Sequence, residues 1–173
     1  LCNSALCDAA EVDVWSKRYR MHEVLDAEIE EVNIALNKPT ATSSNYGASQ
    51  DAWIVDGSTT SGLYHSACSG EQWVQVDLEE VTRIDSVKLH HRTDCCGSRI
   101  NGATIIISDT DDFTAGSQCG DALSWVNGAT VNLCNGMSGR YVTVRQEGQC
   151  LQMTELEVLV EAISTPDGYV YSP

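Results

Sequence analysis

The sequence predicts an all-β fold, a β-sandwich or jelly roll, and three observations carry that prediction. Short segments with apolar alternation or β-branched residues recur from about Asn33 to Glu161. Glycine-containing turn clusters separate them: Asp56-Gly57-Ser58, Ser69-Gly70, Cys96-Gly97, Asn101-Gly102, Ala115-Gly116, Asn127-Gly128, Ser138-Gly139 and Glu147-Gly148. Helical periodicity is confined to the residues before Val32. Many short strands with little helix bury their apolar faces best as two packed sheets.

The chain divides into an N-terminal extension (1–32), a β-domain (33–162) and a tail (163–173). From Asp8 to Glu31 there is neither Gly nor Pro, and Trp15, His22, Leu25, Ile29 and Val32 fall near one helical stripe. A short helix is therefore expected. It should fray near Glu31, because Glu28, Glu30 and Glu31 crowd the end where the helix dipole disfavours carboxylates. The stripe is too brief to prove a coiled coil. It suits an oligomerisation segment, a helix packed on the host domain, or an arm. In the β-domain, strands are expected near Thr40–Ser43, Trp73–Asp77, Arg83–His91, Ala103–Ser108, Thr130–Leu133, Arg140–Arg145 and Glu155–Glu161. The tail holds Tyr169 and Tyr171 and has no apolar stripe.

With 10 basic against 25 acidic side chains, the net charge is −15. Nucleic acid and anionic membrane surfaces are poor partners for such a chain. No apolar run reaches the length of a membrane span, so membrane insertion is not expected. The eight cysteines are Cys2, Cys7, Cys68, Cys95, Cys96, Cys119, Cys134 and Cys150, and they lack zinc-ribbon spacing. They read as disulfides of a secreted protein whose Leu1 follows a cleaved signal. Pairing Cys119 with Cys134 would close a short loop and stabilise by roughly 3 kcal/mol. Pairing Cys68 with Cys150 would close most of the domain, for roughly 4 to 5 kcal/mol. Cys2 and Cys7 could pair with each other or across chains.

Cys95 and Cys96 are adjacent, with Cα atoms about 3.8 Å apart, below the usual disulfide range. They could bridge each other under local strain, or pair with different partners. Their place inside a charged loop favours the vicinal bridge, which would stiffen the loop and present an apolar sulfur surface. That loop, Arg92-Thr93-Asp94-Cys95-Cys96-Gly97-Ser98-Arg99, lies between two expected strands at the rim of the domain. Arg92 and Arg99 offer planar donor forks that pH does not switch off, and Asp94 can pin one or both. Such a cluster suits an anion or a polyhydroxyl ligand. A surface ion pair of little consequence is the plainer reading.

His65 changes the weight of that loop. The pattern His65-x26-Arg92-x-Asp94-x4-Arg99, with the Cys95–Cys96 pair inside it, resembles the signature of the F-type lectins, the fucose-binding lectin family. The resemblance runs from about Asn33 to Ala162. It includes Asn33-Ile34-Ala35-Leu36-Asn37-Lys38-Pro39, Val55-Asp56-Gly57, Trp73-Val74-Gln75-Val76-Asp77-Leu78, Arg99-Ile100-Asn101-Gly102, Gly139-Arg140-Tyr141-Val142 and Glu155-Leu156-Glu157-Val158.

The resemblance implies an eight-stranded jelly roll, similar to discoidin-type domains, and a site for terminal α-L-fucose on fucosylated glycans. His65, Arg92 and Arg99 would hydrogen-bond the ring oxygen and hydroxyls, chiefly the axial one. Asp94 would orient the arginines, and the Cys95–Cys96 bridge would pack on the sugar ring. Charged donors reward such acceptors by about 1.5 to 3 kcal/mol each. Tyr46, Leu63 and Tyr64 are candidates for the pocket around the fucose methyl. The resemblance also implies a calcium ion held by Asp56 and Glu155, with carbonyls from Trp53, Ser58 and Thr154 and a contribution from Ser61. Asp56 alone would read as a turn-capping aspartate. The chain departs from the family pattern where Cys68 follows His65 and Cys150 stands apart from Glu155. Its first variable loop, Ser43 to Asp51, is short and lacks a second sugar-facing histidine.

No pair of carboxylates suited to glycoside cleavage and no nucleophile with its base stands out, so an enzyme is not expected. The alternative is a discoidin-like adhesion domain that binds protein or another glycan, such as a galactose type. One weak sugar site per chain also predicts a homo-oligomer, since lectins gain strength by multivalency.

Overall fold

The structure, a computed structural model, describes residues 28–164 and 170–171. Most of the expected N-terminal helix, together with Cys2 and Cys7, lies outside the described residues. The described strands are β1 (Glu28–Asn33), β2 (Thr40–Thr42), β3 (Tyr64–His65), β4 (Glu71–His91), β5 (Thr104–Ser108), β6 (Ser117–Cys119), β7 (Ala129–Glu147), β8 (Gln152–Ser164) and β9 (Val170–Tyr171). The chain divides into two compact units, Val32–Val160 and a second formed by Leu1–Glu31 with Glu161–Pro173. In the second, β9 pairs with the end of β8, Tyr171 facing Ile163.

The fold is an all-β antiparallel sandwich with no α-helix among the described residues. Its strand order is β1-β8-β4-β7-β5-β6, with β2 on β4 and β3 and β9 on β8. β4 and β7 pair with each other from Glu71↔Glu147 to His90↔Ala129, and their outer partners change along the way. Near its start β4 carries β2, and near its end it carries β8. Near its end β7 carries β5. The two long strands thus belong to both layers of the sandwich. Register shifts at Asp77/Thr82 and Ile84/Ser86 let them bend. At the second shift the buried positions of β4 change parity, from Val74, Val76 and Ile84 to Val87, Leu89 and His91. A bulge of one residue is what exchanges the faces of a strand.

Several expected elements are corrected. Glu28–Asn33 is a strand and not the end of a helix. Carboxylates at that end oppose a helix dipole but not an extended edge, and Ile29, assigned to the helical stripe, is 70% exposed. Nine strands are described where eight were expected, and four expected segments merge into β4 and β7. Ser138-Gly139 is no turn: Gly139 sits inside β7 opposite Thr82. A Cβ there would meet Ile107 Cγ2 at 2.4 Å and the Ser108 carbonyl oxygen at 3.0 Å, so the glycine serves a close approach of backbones. The two long-range cysteine pairs form as expected, Cys119–Cys134 and Cys68–Cys150. The core between the layers is filled by alternating strand residues, among them Val76, Leu89, Ile105, Val142, Val144, Leu156 and Val158.

Candidate functional site

Strand β8 sets the site. Met153 faces Tyr64 of β3 on one side and His91 of β4 on the other. His65 and Arg92 follow these neighbours, so they leave the sheet at one rim, on either side of β8. Two strand spacings put their backbones about 10 Å apart, within reach of long side chains converging on one small ligand.

Asp94 binds Arg92 with both oxygens: Arg92 Nε donates to Oδ1 at 2.6 Å and Nη2 to Oδ2 at 3.0 Å. Its hydrogen bonds with Arg92 hold the Asp94 carboxyl down at about 2. Arg99, expected to share this carboxylate, does not. Its guanidinium has no hydrogen-bond or ionic partner among the described residues. The Arg99 backbone is fixed instead. Its N–H donates to the Cys96 carbonyl at 3.2 Å, and its own carbonyl accepts from Gln146 Nε2 at 2.8 Å. Gln146 also donates to the Asn101 carbonyl, at 3.0 Å. Gln146 lies one residue beyond the strand expected at Arg140–Arg145, and no motif marks it.

His65 is half-buried. Its backbone N–H donates to Ser49 Oγ at 2.7 Å and its Nδ1 donates to the Ser66 carbonyl at 2.6 Å. That bond fixes the ring and leaves Nε2 for a ligand. Tyr46 packs on the imidazole with ring centroids 5.0 Å apart. The Cys68–Cys150 bridge stands beside the same ring: the His65 nitrogen and both sulfurs lie within 4.8 Å of one another. Tyr46 is exposed and Leu63 is half-buried, so both can line a pocket. Tyr64 cannot. It is completely buried, since strand alternation turns it inward between Leu63 and His65. Its hydroxyl bonds Thr42 Oγ1 and donates to the Ser44 carbonyl, and burial pushes its pKa up to about 12.

The expected vicinal bridge is not closed. Cys95 and Cys96 are separate, exposed cysteines with sulfurs 2.7 Å apart. Adjacent Cα atoms strain such a bridge, as anticipated. Cys96 takes the strained left-handed conformation at φ 61. The pair still forms the tip of the loop between Arg92 and Arg99.

A second loop walls this one. The Trp125 N–H donates to Asn101 Oδ1 at 2.6 Å, and the Leu123 N–H donates to the Ala103 carbonyl at 2.7 Å. The His91 N–H donates to the Gly128 carbonyl at 2.8 Å. These contacts join residues 123–128 to the base of the arginine loop. Sequence reasoning passed over Trp125, because a lone tryptophan between turn residues carries no pattern.

Around Glu155 the residues expected to hold calcium come together in part. The Gly57 N–H donates to Glu155 Oε1 at 3.1 Å. Oε2 is buried with no hydrogen-bond partner, and the side chain is 1% exposed. Burial pushes this carboxyl up to about 7, opposed by the Gly57 N–H and reinforced by the charge of Asp56. Asp56 Oδ1 accepts from the Ser58 N–H at 2.8 Å, and Ser58 Oγ bonds Ser61 Oγ at 2.6 Å. Trp53 lies on the 3₁₀ turn that ends at Val55. Thr154 Oγ1 donates to the His90 carbonyl at 3.4 Å. A buried carboxylate oxygen with no partner, next to a second carboxylate and a hydroxyl-rich turn, fits a hard cation such as Ca2+.

Comparison with known proteins agrees with a binding role. A family profile described as "NedA-like, galactose-binding domain" matches residues 53–144. Fucolectin-3 of Anguilla japonica is 36% identical over 115 residues, which is 61% of this chain and 64% of the relative. Fucolectin-2 of the same species is 33% identical over 153 residues, covering 80% of this chain and 84% of the relative. Among solved structures, the F-lectin (fucolectin) from Morone saxatilis (striped bass) serum superposes with a TM-score of 0.69 at 28% identity. That match covers 74% of this chain and 47% of the other. The fold and the rim cluster thus define a discoidin-like β-sandwich with a sugar-lectin signature. The chain belongs to the F-type lectin (fucolectin) family. It spans just under two thirds of fucolectin-3.

Proposed function

We propose that this protein is a secreted, extracellular lectin that binds terminal α-L-fucose on glycans through His65, Arg92 and Arg99. The unpaired Arg99 fork carries the reading. A cationic donor held by its backbone, with no side-chain partner among the described residues, lies on the same loop as the Arg92–Asp94 pair. Fixed charged donors favour a ligand whose axial hydroxyl and ring oxygen accept together, and they penalise a sugar that leaves them unpaired. The relatives named fucolectins support the sugar class. Two disulfides support an oxidising compartment. At the tip of the same loop the exposed Cys95 and Cys96 offer the sugar an apolar sulfur face.

Calcium belongs to the same reading. Glu155 and Asp56 supply the carboxylates, with Trp53, Ser58, Ser61 and Thr154 as further oxygen donors. A bound divalent ion neutralises the buried carboxylate and stiffens the loop that leads to His65. One site per chain favours a homo-oligomer, in which weak sites act together.

A galactose-type glycan is the second reading, and the family profile's description favours it. A glycan array with and without chelator separates the two. Fucose-terminated glycans bound only with calcium support the proposal, whereas galactose-terminated binding, or binding indifferent to chelator, opposes it.

A further inference from the structure

Trp125 is a large aromatic side chain beside the arginine loop to which the site as described gives no role. Its indole Nε1 donates to the Arg92 carbonyl at 3.4 Å. A Cβ built on Gly97 would lie 2.0 Å from Nε1 and 2.6 Å from both Cδ1 and Cε2. The pyrrole edge therefore rests on the backbone of Gly97, one residue beyond Cys96, and only glycine leaves room for it. The ring touches both arms of the loop that carries Arg92, the two cysteines and Arg99.

The indole is also held from behind. Its backbone N–H is taken by Asn101 Oδ1, and at the foot of the same loop the Leu123 N–H donates to the Ala103 carbonyl while the Leu123 carbonyl accepts from the Gly102 N–H. The Cys119–Cys134 bridge closes the segment that carries it. With 39% of its surface exposed, Trp125 is a fixed ring with solvent on one side, next to 45%-exposed Val126. A rigid aromatic face costs little entropy to use, and it suits the apolar C–H face of a pyranose.

We propose that Trp125 forms a second subsite, on which the sugar next to the terminal residue stacks. The inference rests on the fucose reading, because the cationic cluster must fix the terminal residue before its neighbour can reach the indole. The arginines and His65 then select the terminal sugar, and Trp125 selects for a glycan that continues past Gly97. The ligand of this subsite is a neutral hexopyranose within a fucosylated oligosaccharide.

The test is calorimetry on the intact chain with methyl α-L-fucoside and a panel of fucosylated di- and trisaccharides, using wild type, Trp125→Ala and Trp125→Phe. Stacking predicts that the best oligosaccharide binds wild type more tightly than the methyl fucoside. Trp125→Ala then weakens that oligosaccharide by about fivefold while changing the methyl fucoside by less than about twofold, the range expected of one aromatic contact. Trp125→Phe keeps most of the gain, which guards against a loop that has merely collapsed. Equal losses for both ligands would mean that Trp125 only clamps the loop, and no loss would mean that the subsite does not exist. Either outcome overturns the inference and leaves the fucose site standing. Wild type that fails to bind methyl fucoside overturns both.

Discussion

Asp94 grips Arg92 with both carboxylate oxygens, and the Arg99 side chain has no partner among the described residues. The loop therefore holds one pinned cation and one free one. On the proposed reading, Arg92 is placed before a ligand arrives, and Arg99 keeps its hydrogen-bonding capacity for the ligand. Preorganised donors lose less freedom on binding, which raises affinity without adding contacts.

Replacing the clamp tests this division of labour. Asp94→Asn keeps the shape but removes the charge and one acceptor. Sugar affinity is expected to fall while the melting temperature stays near that of wild type, because the Asp94 side chain is 70% exposed. Calorimetry and thermal melts on one preparation check it. A large fall in melting temperature would mean that the pair holds the fold instead.

The Cys68–Cys150 bridge has two consequences. It closes a separation of 82 residues, for which loop entropy predicts a loss of about 4.5 kcal/mol in the Cys68→Ser, Cys150→Ser double variant. The bridge also stands beside His65. The variant should therefore bind sugar less well even at temperatures where it is fully folded. Denaturant unfolding and calorimetry measure the two effects separately.

Glu155 gives a pH dependence with a definite sign. Its carboxyl sits at about 7 in the fold against 4.5 ordinarily, so the folded chain keeps a proton that the unfolded chain has lost. Without metal, its contribution is fully present below 4.5 and is lost as pH rises through 7. Calcium reverses this, because it favours the ionised carboxylate. The rise in melting temperature on adding calcium is expected to be larger at pH 8 than at pH 5, and absent in Glu155→Gln. Scanning calorimetry with calcium and with chelator reads the difference.

His91 has the opposite sign. Burial, reinforced by the neighbouring His90, depresses its pKa below 6.5. Its Nε2 bonds Thr130 Oγ1 at 2.6 Å, and its Nδ1 is buried without a partner. The unfolded chain takes up the proton first, so stability is lost as pH falls through 6.5. His91→Phe should flatten the acid side of the melting profile, compared with wild type in the same buffers.

His65, Arg92, Asp94 and Arg99 stand out in the sequence because their spacing is a motif in itself, and the structure pairs Asp94 with Arg92 alone. Tyr64 was misjudged because a two-residue strand is too short to reveal its alternation. Only the pairing with Met153 turns it inward. The Ser138-Gly139 pair carries the composition of a turn, yet its glycine answers a backbone approach from Ser108 that no local pattern records. Glu28 to Glu31 fitted a poor helix end and also an extended edge, and partners far along the chain decided between them. Trp125 was invisible for a similar reason: its value lies in resting on Gly97, and nothing in the spacing joins the two.

The most direct test is titration of L-fucose at saturating calcium into wild type and Arg99→Ala. The Arg99 side chain has no partner among the described residues to lose, so the variant is expected to melt at the wild-type temperature and to show no measurable fucose binding, while wild type binds with one site per chain. Absence of binding by wild type, or an unchanged affinity in Arg99→Ala, would contradict the assignment of this rim as the sugar site.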